Sequence, residues 1–297
     1  MKRQPPFFSI IIPTYARPVQ LAACLQSLAQ LDYPRDRFEV IVVDDGSQTS
    51  PAEVIAGCSG QMDMTLLTRA HAGPAAGRNA GAARAKGEFL AFTDDDCAPA
   101  PDWLRALAAR LTPAPECAVG GRTINALPDN PYSAASQLLV DYLYAYYNAG
   151  PDRTCFLTSN NMALPAALFH AAGGFDASFP RAAAEDREFC HRWLRRGQRL
   201  AYAPEALVYH AHRLTLRSFW RQQFNYGRGA FHFHQLRARR DRERFQVEPR
   251  RFYLNLLRHP FSQARGGQAL LLASLMVISQ AANAAGFFRE GAARAAA

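Results

Sequence analysis

Acidic side chains follow two short apolar runs of the sequence, at the point where each run ends. Asp44 and Asp45 follow residues 38–43, and Thr93 with three consecutive aspartates follows residues 88–92. The length and composition of both runs predict buried strands. Five carboxylates at one edge of a sheet repel one another unless a cation or a hydrogen-bonding ligand is present. We therefore expect Mn²⁺ or Mg²⁺ and a phosphate-bearing substrate there, because these hard cations bind carboxylates together with phosphate oxygens.

The same aspartates also fit a purely structural explanation. Asp is favoured in turns and at helix caps, and either role requires no ligand. For the pair Asp44 and Asp45, this explanation is as good as ligand binding. Three consecutive aspartates after a buried strand are explained less well by a turn, so they favour a functional site.

Strand and helix patterns alternate around these residues. Residues 7–12 form an apolar run closed by Pro13, residues 18–29 carry apolar side chains at helical spacing, and residues 66–67 indicate a weaker strand. Small residues from 75 to 86 predict another helix. This alternation predicts an α/β fold in which helices flank a sheet and ligands bind beyond the carboxyl ends of its strands.

Four motifs of the chain resemble, in the same order, the signatures of family 2 glycosyltransferases with the GT-A fold. They are residues 9–15 (SIIIPTY), 42–47 (VVDDGS), 77–81 (GRNAG) and 92–96 (FTDDD). The resemblance covers roughly residues 7–210 and implies a GT-A-like nucleotide-binding mixed sheet flanked by helices. It also implies an inverting transfer of a sugar from a nucleotide-sugar donor to a hydroxyl on a saccharide or lipid-linked acceptor.

The resemblance also assigns a donor site. It places the base against Tyr15, with Asp45 accepting a hydrogen bond from the base edge and Asp44 beside it. An aromatic ring and an acceptor for a ring N–H suit uracil, so a UDP-sugar is favoured. Arg78 is expected near the diphosphate or the base. The implied donor-binding residues are Pro13, Thr14, Tyr15, Asp44, Asp45, Arg78, Asp94 and Asp95.

The metal ligands implied by the resemblance come from the aspartate triplet and from a later histidine. Asp94 is mapped to the ribose or the metal shell and Asp96 to the metal itself, with less weight on Asp95 between them. A histidine after the apolar segment 206–209 resembles an additional metal ligand of GT-A enzymes. His210 and His212 lie on one side of an extended chain, so either could bind the ion, and a pair of surface histidines is an equally good explanation.

The candidate general base lies in a third acidic segment. Phe189 and Trp193 are four residues apart on one helical face, which places Glu185 and Asp186 in the first turn of that helix. The helix dipole favours a carboxylate there whatever its role. The resemblance identifies the pair as the family's Glu-Asp motif, whose Asp is the base. Asp186 is therefore the predicted base and Glu185 the alternative.

Cysteine usage and the N-terminus predict a cytoplasmic protein. The six cysteines are scattered, without a C-x-x-C pair or a cluster with histidine at metal-ligand spacing, so free thiols are expected. No covalent intermediate is needed, and neither Cys97 nor Cys190 is predicted to act as a nucleophile. The first six residues lead directly into a short apolar run without the features of a secretory signal.

The C-terminal third differs from the rest of the chain in charge. The net charge is +9, and residues 211–297 carry 15 basic and 4 acidic side chains, so the excess lies entirely there. We predict a catalytic domain over residues 1–212 and a basic helical extension over 213–297. Polar residues within the apolar run 268–288 argue against a membrane span. Peripheral attachment to the anionic inner face of the plasma membrane is favoured, with intramolecular packing, a dimer contact or a single span as alternatives.

These features together predict a metal-dependent inverting glycosyltransferase of cell-surface polysaccharide or glycolipid synthesis. No nucleic-acid partner is expected, because no recognition module is visible. A nucleotidyltransferase is one alternative, although residues 13–17 lack the Gly-rich loop usual after its first strand. A catalytically inactive, membrane-docked binding protein is the other, and the presence of Asp45, Asp96 and Asp186 together argues against it.

Overall fold

The computed structural model describes residues 4–58, 60–150, 154–179, 183–241 and 247–295. The chain divides into two compact units. The first consists of Met1–Ile124, Asn148–Ser178 and Asp186–Ala211, and the second of Asn125–Tyr147, Phe179–Glu185 and His212–Ala297. The last of these boundaries lies beside the predicted one at residue 212. The second unit, however, also takes two earlier segments of the chain.

The first unit is built on a mixed sheet. Within the described residues its strands are β1 (Phe8–Thr14), β2 (Phe38–Asp44), β3 (Asp63–Thr68), β4 (Phe89–Thr93), β5 (Cys97–Pro99), β6 (Cys117–Asn125), β7 (Asn161–Pro165) and β8 (Arg199–His210), in the order β3-β2-β1-β4-β7-β6-β8-β5. β1 pairs in parallel with β2 and β4, and β2 with β3. β7 is antiparallel to β4 and β6, and β5 to β8. The predicted mixed sheet is confirmed.

Helices follow most of the strands. They are α1 (Pro18–Leu28), α2 (Ala52–Ala56), α3 (Pro74–Arg84), α4 (Trp103–Leu111), α5 (Pro131–Tyr147), α6 (Ala166–Ala172), α7 (Glu185–Arg195), α8 (Leu216–Asp241), α9 (Arg250–Gln263) and α10 (Gly266–Ala295), with a 3₁₀ turn at Arg35–Arg37. The predicted helices at 18–29 and 75–86 correspond to α1 and α3. β3 is longer than its apolar pair at 66–67 indicates, because its side chains are only partly buried and its sequence is mixed.

Three adjacent strands of the sheet, β2, β1 and β4, are parallel, so their carboxyl ends lie at the same edge. All seven residues of β1 and of β2 are buried, which explains their mainly apolar sequences. The buried hydroxyl of Ser9 in β1 donates to Glu39 Oε1 in β2 at 2.6 Å. The parallel register places Thr14 opposite Asp44, at the last position of each strand. β4 runs parallel to β1 and ends at Thr93, directly before the aspartate triplet. The motifs that follow β1, β2 and β4 therefore lie at the same edge.

Helix α3 packs closely on this part of the sheet through two glycines. A Cβ atom on Gly81 would lie 2.5 Å from Ile11 Cγ2, and one on Gly77 would lie 3.2 Å from Pro13 Cβ. The spacing of four residues therefore serves the packing of the helix on β1. Pro13, predicted to bind the donor, forms part of this packed surface.

The second unit is helical. A Cβ on Gly227 of α8 would collide with the backbone oxygen of Asn283 in α10, so these helices approach closely at a glycine. Helix α5 contributes Tyr142, whose hydroxyl donates to the carbonyl of Phe252 at 2.7 Å in α9. Their shared apolar core explains why α5 belongs to this unit although it precedes residue 212.

Helix α10 is long and apolar enough to cross a membrane, by length and composition alone, and is the one such helix among the described residues. A third of the most apolar 18-residue stretch of this helix is buried inside the protein. Large side chains on its remaining surface are exposed, including Leu270 at 61% and Phe288 at 73%. The helix thus combines an inward packed face with an outward apolar one.

Candidate donor and catalytic site

Asp95 is the buried centre of the aspartate triplet. The hydroxyl of Thr14 donates to Asp95 Oδ2 at 2.8 Å, and Arg17 Nη1 lies 3.2 Å from Asp95 Oδ1 and 3.0 Å from Asp96 Oδ2. Burial raises the pKa of Asp95 to about 6, and the charges of Asp96 and Asp94 act in the same direction. Arg17 and the Thr14 hydroxyl act against this rise. The carboxylate given least weight from sequence is thus the one most enclosed by its neighbours.

Asp96 lies beside His210, one of the two predicted histidine ligands. His210 Nε2 is 3.2 Å from Asp96 Oδ1. Burial lowers the pKa of His210, but the hydrogen bond and charge of Asp96 outweigh it and raise the pKa above its ordinary value. Cys97 Sγ, a carboxylate oxygen of Asp96 and a ring nitrogen of His210 all lie within 4.8 Å of one another. This donor set, found in the described part of the chain, fits a divalent metal and does not include His212.

His212 has a different place in the fold. β8 ends at His210, and His212 belongs to the second unit, where its carbonyl accepts a hydrogen bond from Ser133 Oγ at 2.6 Å. The regular strand geometry that would place both imidazoles on one side stops at His210. The structure therefore distinguishes the two histidines that the sequence left equivalent.

Asp45 organises the loop that leads into α3. Its carboxylate accepts hydrogen bonds from the backbone N–H of Ala72 at 3.1 Å and of Gly73 at 2.7 Å, and His71 Nδ1 lies 2.9 Å from Oδ2. Gly46 has φ +86°, and a Cβ there would lie 2.9 Å from the backbone nitrogen of His71. The glycine after the aspartate pair thus allows this close approach. The role of Asp45 in binding the donor base stays a prediction.

Tyr15 offers an exposed aromatic surface beside this loop. It is 49% exposed, and its ring centroid lies 4.5 Å from that of His71. Ala16, with φ +54°, donates its N–H to Ser47 Oγ at 2.8 Å, which ties the loop after β1 to the loop after β2. Asp44 is buried and accepts a hydrogen bond from the N–H of Ser47 at 3.0 Å. Its observed contact is that of a turn residue.

Arg78 brings the aspartate triplet and the predicted base into one electrostatic environment. Its Nη2 lies 2.5 Å from Asp94 Oδ1, and the arginine is buried while Asp94 is partly exposed. Burial raises the pKa of Asp186, while the N–H groups of Arg187 and Ser159 and the charge of Arg78 act in the opposite direction. The Arg187 N–H donates to Asp186 Oδ1 at 2.7 Å. The charge of Arg78 thus favours the ionised form of Asp186, against the effect of burial.

The first turn of α7 holds both acidic candidates for the base. α7 begins at Glu185, directly after Ala184, which has φ +68°. Glu185 is buried, and Asp186 is partly exposed. Both carboxylates are therefore held in the same helical turn, and the pKa of Asp186, the one that the sequence favours as base, is raised by burial of its carboxyl.

The sequence assigns no binding role to three residues of this site: Arg17, His71 and Cys97. Arg17 directly precedes α1, and His71 lies between β3 and α3, so both were hidden in loops without a motif. The sequence shows no cysteine near a histidine at metal-ligand spacing, whereas β5 and β8 pair Cys97 directly with His210. The antiparallel pairing of two distant segments was the missing information.

A family model described as glycosyl transferase family 2 matches residues 9–172. The chain belongs to this family. A relative in Mycobacterium tuberculosis, the pre-mycofactocin glycosyltransferase, is 31% identical over 198 residues, covering 65% of this chain and 42% of the relative. The chain spans about two fifths of the length of the first curated relatives that it matches, 39% and 42%.

Solved structures share the GT-A glycosyltransferase fold with this family 2 chain. The mannosyltransferase PcManGT from Pyrobaculum calidifontis, in complex with GDP-Man and Mn²⁺, has a TM-score of 0.63 at 21% identity, covering 99% of this chain and 81% of that one. Staphylococcus aureus TarS residues 1–349, in complex with UDP-GlcNAc, has a TM-score of 0.53 at 19% identity, covering 98% and 92%. The predicted family and fold are confirmed.

Proposed function

We propose that this chain transfers a sugar from a nucleotide-sugar donor to a hydroxyl acceptor, with inversion at the anomeric carbon. The observation that carries the proposal is the position of Arg78. Its guanidinium binds Asp94 of the aspartate triplet at 2.5 Å, and its charge acts on the carboxyl of Asp186. The charge of one cation therefore acts on both the donor-side aspartate triplet and the predicted base. This favours glycosyl transfer over nucleotidyl transfer.

The mechanism requires one proton acceptor. The acceptor oxygen attacks the anomeric carbon and forms a C–O bond, while the bond from that carbon to the diphosphate oxygen breaks. The hydroxyl proton passes to the Asp186 carboxylate, and the electron pair of the broken bond leaves with the nucleoside diphosphate. Arg78 stabilises the ionised form of Asp186, which is the form that accepts the proton.

Asp96 and His210 are the residues that would hold Mn²⁺ or Mg²⁺, with Asp94 as a further carboxylate of the same triplet. Such an ion, when bound, would stabilise the negative charge on the departing diphosphate. Arg17 lies 3.0 Å from Asp96 Oδ2, while His210 approaches the other oxygen. The arginine thus offsets part of the charge of the triplet and leaves one oxygen of Asp96 beside the imidazole.

For the donor base we propose a site on the exposed ring of Tyr15, with His71 beside it. Two neighbouring rings support stacking of a planar base. We propose a UDP-sugar because the predicted partners of the base are an aromatic ring, Tyr15, and an acceptor for a ring N–H, Asp45. Asp45 also positions His71 in this site. Its carboxylate accepts hydrogen bonds from the N–H groups of the next two residues, Ala72 and Gly73, and so fixes the loop that carries His71.

Thermal stabilisation by nucleotides tests the donor site. UDP, dTDP, GDP and ADP are added separately with Mn²⁺ and again with EDTA. Ligand at about 100 times Kd adds ~2.7 kcal/mol, or several degrees in Tm. A metal-dependent shift for UDP that is lost in Asp96→Ala supports the proposal. Absence of a shift with every nucleotide contradicts it and favours an inactive protein that kept the fold.

Two substitutions test the base. Asp186→Asn is expected to lower the rate of transfer by about 10²- to 10⁴-fold while donor binding is kept. Glu185→Gln is the matched control in the same helical turn and is expected to keep most of the activity. Transfer that survives in Asp186→Asn but is lost in Glu185→Gln would assign the base to Glu185.

We also propose that the second unit attaches the enzyme to the cytoplasmic face of a membrane, where a lipid-linked or saccharide precursor of a cell-surface glycan would be its acceptor. Leu270 and Phe288 are exposed apolar residues of α10, and residues 211–297 carry the whole positive excess. Binding to vesicles with phosphatidylserine, but not to purely zwitterionic ones, is the expected result. Leu270→Ser with Phe288→Ser should release the protein, and unchanged sedimentation with vesicles would refute the attachment.

A further inference from the structure

We propose that Cys97 is a sulfur ligand of the metal site, and that the site therefore prefers Zn²⁺, Co²⁺ or Cd²⁺ to Mg²⁺. The inference rests on the proposed metal-dependent function and specifies the ion that the site selects. Cys97 Sγ, an Asp96 oxygen and a His210 ring nitrogen lie within 4.8 Å of one another. Ligands of one tetrahedral ion with bonds of about 2.0–2.3 Å are roughly 3–4 Å apart. Small side-chain adjustments would complete the site.

The backbone fixes the three donors relative to one another. Cys97 is the first residue of β5 and pairs directly with His210, the last residue of β8. Direct partners of an antiparallel pair carry their side chains on the same face of the sheet. The N–H of Ala211 donates to the carbonyl of Asp96 at 2.8 Å, which extends the pairing by one step. The thiol therefore faces the imidazole because of main-chain hydrogen bonds and not through a chance rotamer.

Asn160 forms an outer contact to the sulfur. Its Nδ2 donates a hydrogen bond to Cys97 Sγ at 3.9 Å. Its Oδ1 accepts from the hydroxyls of Thr158 at 2.8 Å and Thr123 at 3.5 Å, which directs the amide nitrogen toward the thiol. Outer donors of this kind orient metal ligands. The thiol, which also belongs to the apolar core, thus has one polar neighbour besides Asp96 and His210.

The chemistry of the donor set determines the preferred ion. Mg²⁺ binds oxygen ligands almost exclusively, whereas a set of one carboxylate, one imidazole and one thiolate suits Zn²⁺ and other borderline cations. Mn²⁺ lies between these extremes. Cys97 is only 1% exposed, so the sulfur would meet the ion from the protein side. The remaining coordination positions of the ion would lie on the side of Asp96 and His210, where a diphosphate oxygen or a water molecule would complete the coordination.

Cobalt spectroscopy tests the sulfur directly, without a measurement of activity. Co²⁺ is titrated into the full chain carrying Cys155→Ser, which removes the one exposed cysteine among the described residues. Bound thiolate gives an intense sulfur-to-cobalt charge-transfer band in the near ultraviolet. We expect this band at one equivalent, its loss in Cys97→Ser, and its retention in the control Cys190→Ser, whose thiol is equally buried.

Metal affinities measured by calorimetry give the second readout. In Cys97→Ser the preference for Cd²⁺ over Mn²⁺ is expected to fall by about tenfold or more, since even an outer partner of a ligand changes affinity by that factor. A cobalt-bound protein without the band, or a band that persists in Cys97→Ser, overturns the inference. UDP binding that requires metal, together with a missing band, would leave the proposed function intact. A band without any nucleotide binding would support the sulfur ligand and contradict the proposed function.

Discussion

Replacement of Asp95 by Asn tests the electrostatic balance of the aspartate triplet. Burial raises the pKa of Asp95 to about 6, compared with an ordinary value of 3.8. At pH values between these two pKa values, Asp95 keeps its proton in the folded chain and releases it in the unfolded chain. The contribution of Asp95 to stability is therefore largest below the unfolded pKa and is lost as the pH rises through the folded pKa.

The size of this effect follows from the difference between the two pKa values. Two pKa units at about 1.4 kcal/mol each give a total of about 3 kcal/mol, of which about 2 kcal/mol lies between about pH 4.5 and 7.5. Asn stays neutral throughout and can still accept the hydrogen bond of Thr14, which is 2.8 Å from Asp95 Oδ2. The free energy of unfolding of the wild type, relative to Asp95→Asn, should therefore fall by about 2 kcal/mol over that range.

Urea denaturation at a series of pH values, in the presence of EDTA, measures this difference. EDTA keeps metal ions from altering the charge of the triplet. Asp36→Asn makes the same chemical change at an exposed position and supplies the reference profile. Parallel profiles for the wild type and Asp95→Asn across the whole range would refute the argument that burial controls this carboxyl.

Three further predictions concern packing and metal binding. Gly81→Val should destabilise the protein by about 1–3 kcal/mol in urea denaturation, because a Cβ at that position would lie 2.5 Å from Ile11 Cγ2. An unchanged midpoint would contradict the described contact of α3 with β1. His210→Gln should weaken Mn²⁺ binding in calorimetry by about tenfold or more, while His212→Gln should not, and equal losses would reject the distinction between the two histidines. Gly227→Val should lower the melting temperature, because its side chain would meet the backbone of α10, and a stable variant would argue against that close approach.

The sequence by itself determined the features that depend on neighbouring residues. Mainly apolar runs predicted β1, β2 and β4, because strands buried on both faces consist largely of apolar side chains. The aspartates at the ends of β2 and β4 were recognisable because a polar turn follows each of these buried strands. Motif order and spacing then identified the family. Local patterns of this kind carry most of the information about the first half of the sheet.

Only the tertiary structure decided which distant residues meet. The antiparallel pairing of β5 with β8 selects His210 and adds Cys97, although neither choice is visible along the chain. Arg17 joins Asp95 and Asp96 because β1 and β4 are neighbours in the sheet. The physical reason is that hydrogen bonds between strands, and the need to pair buried charges, act between segments that the sequence separates.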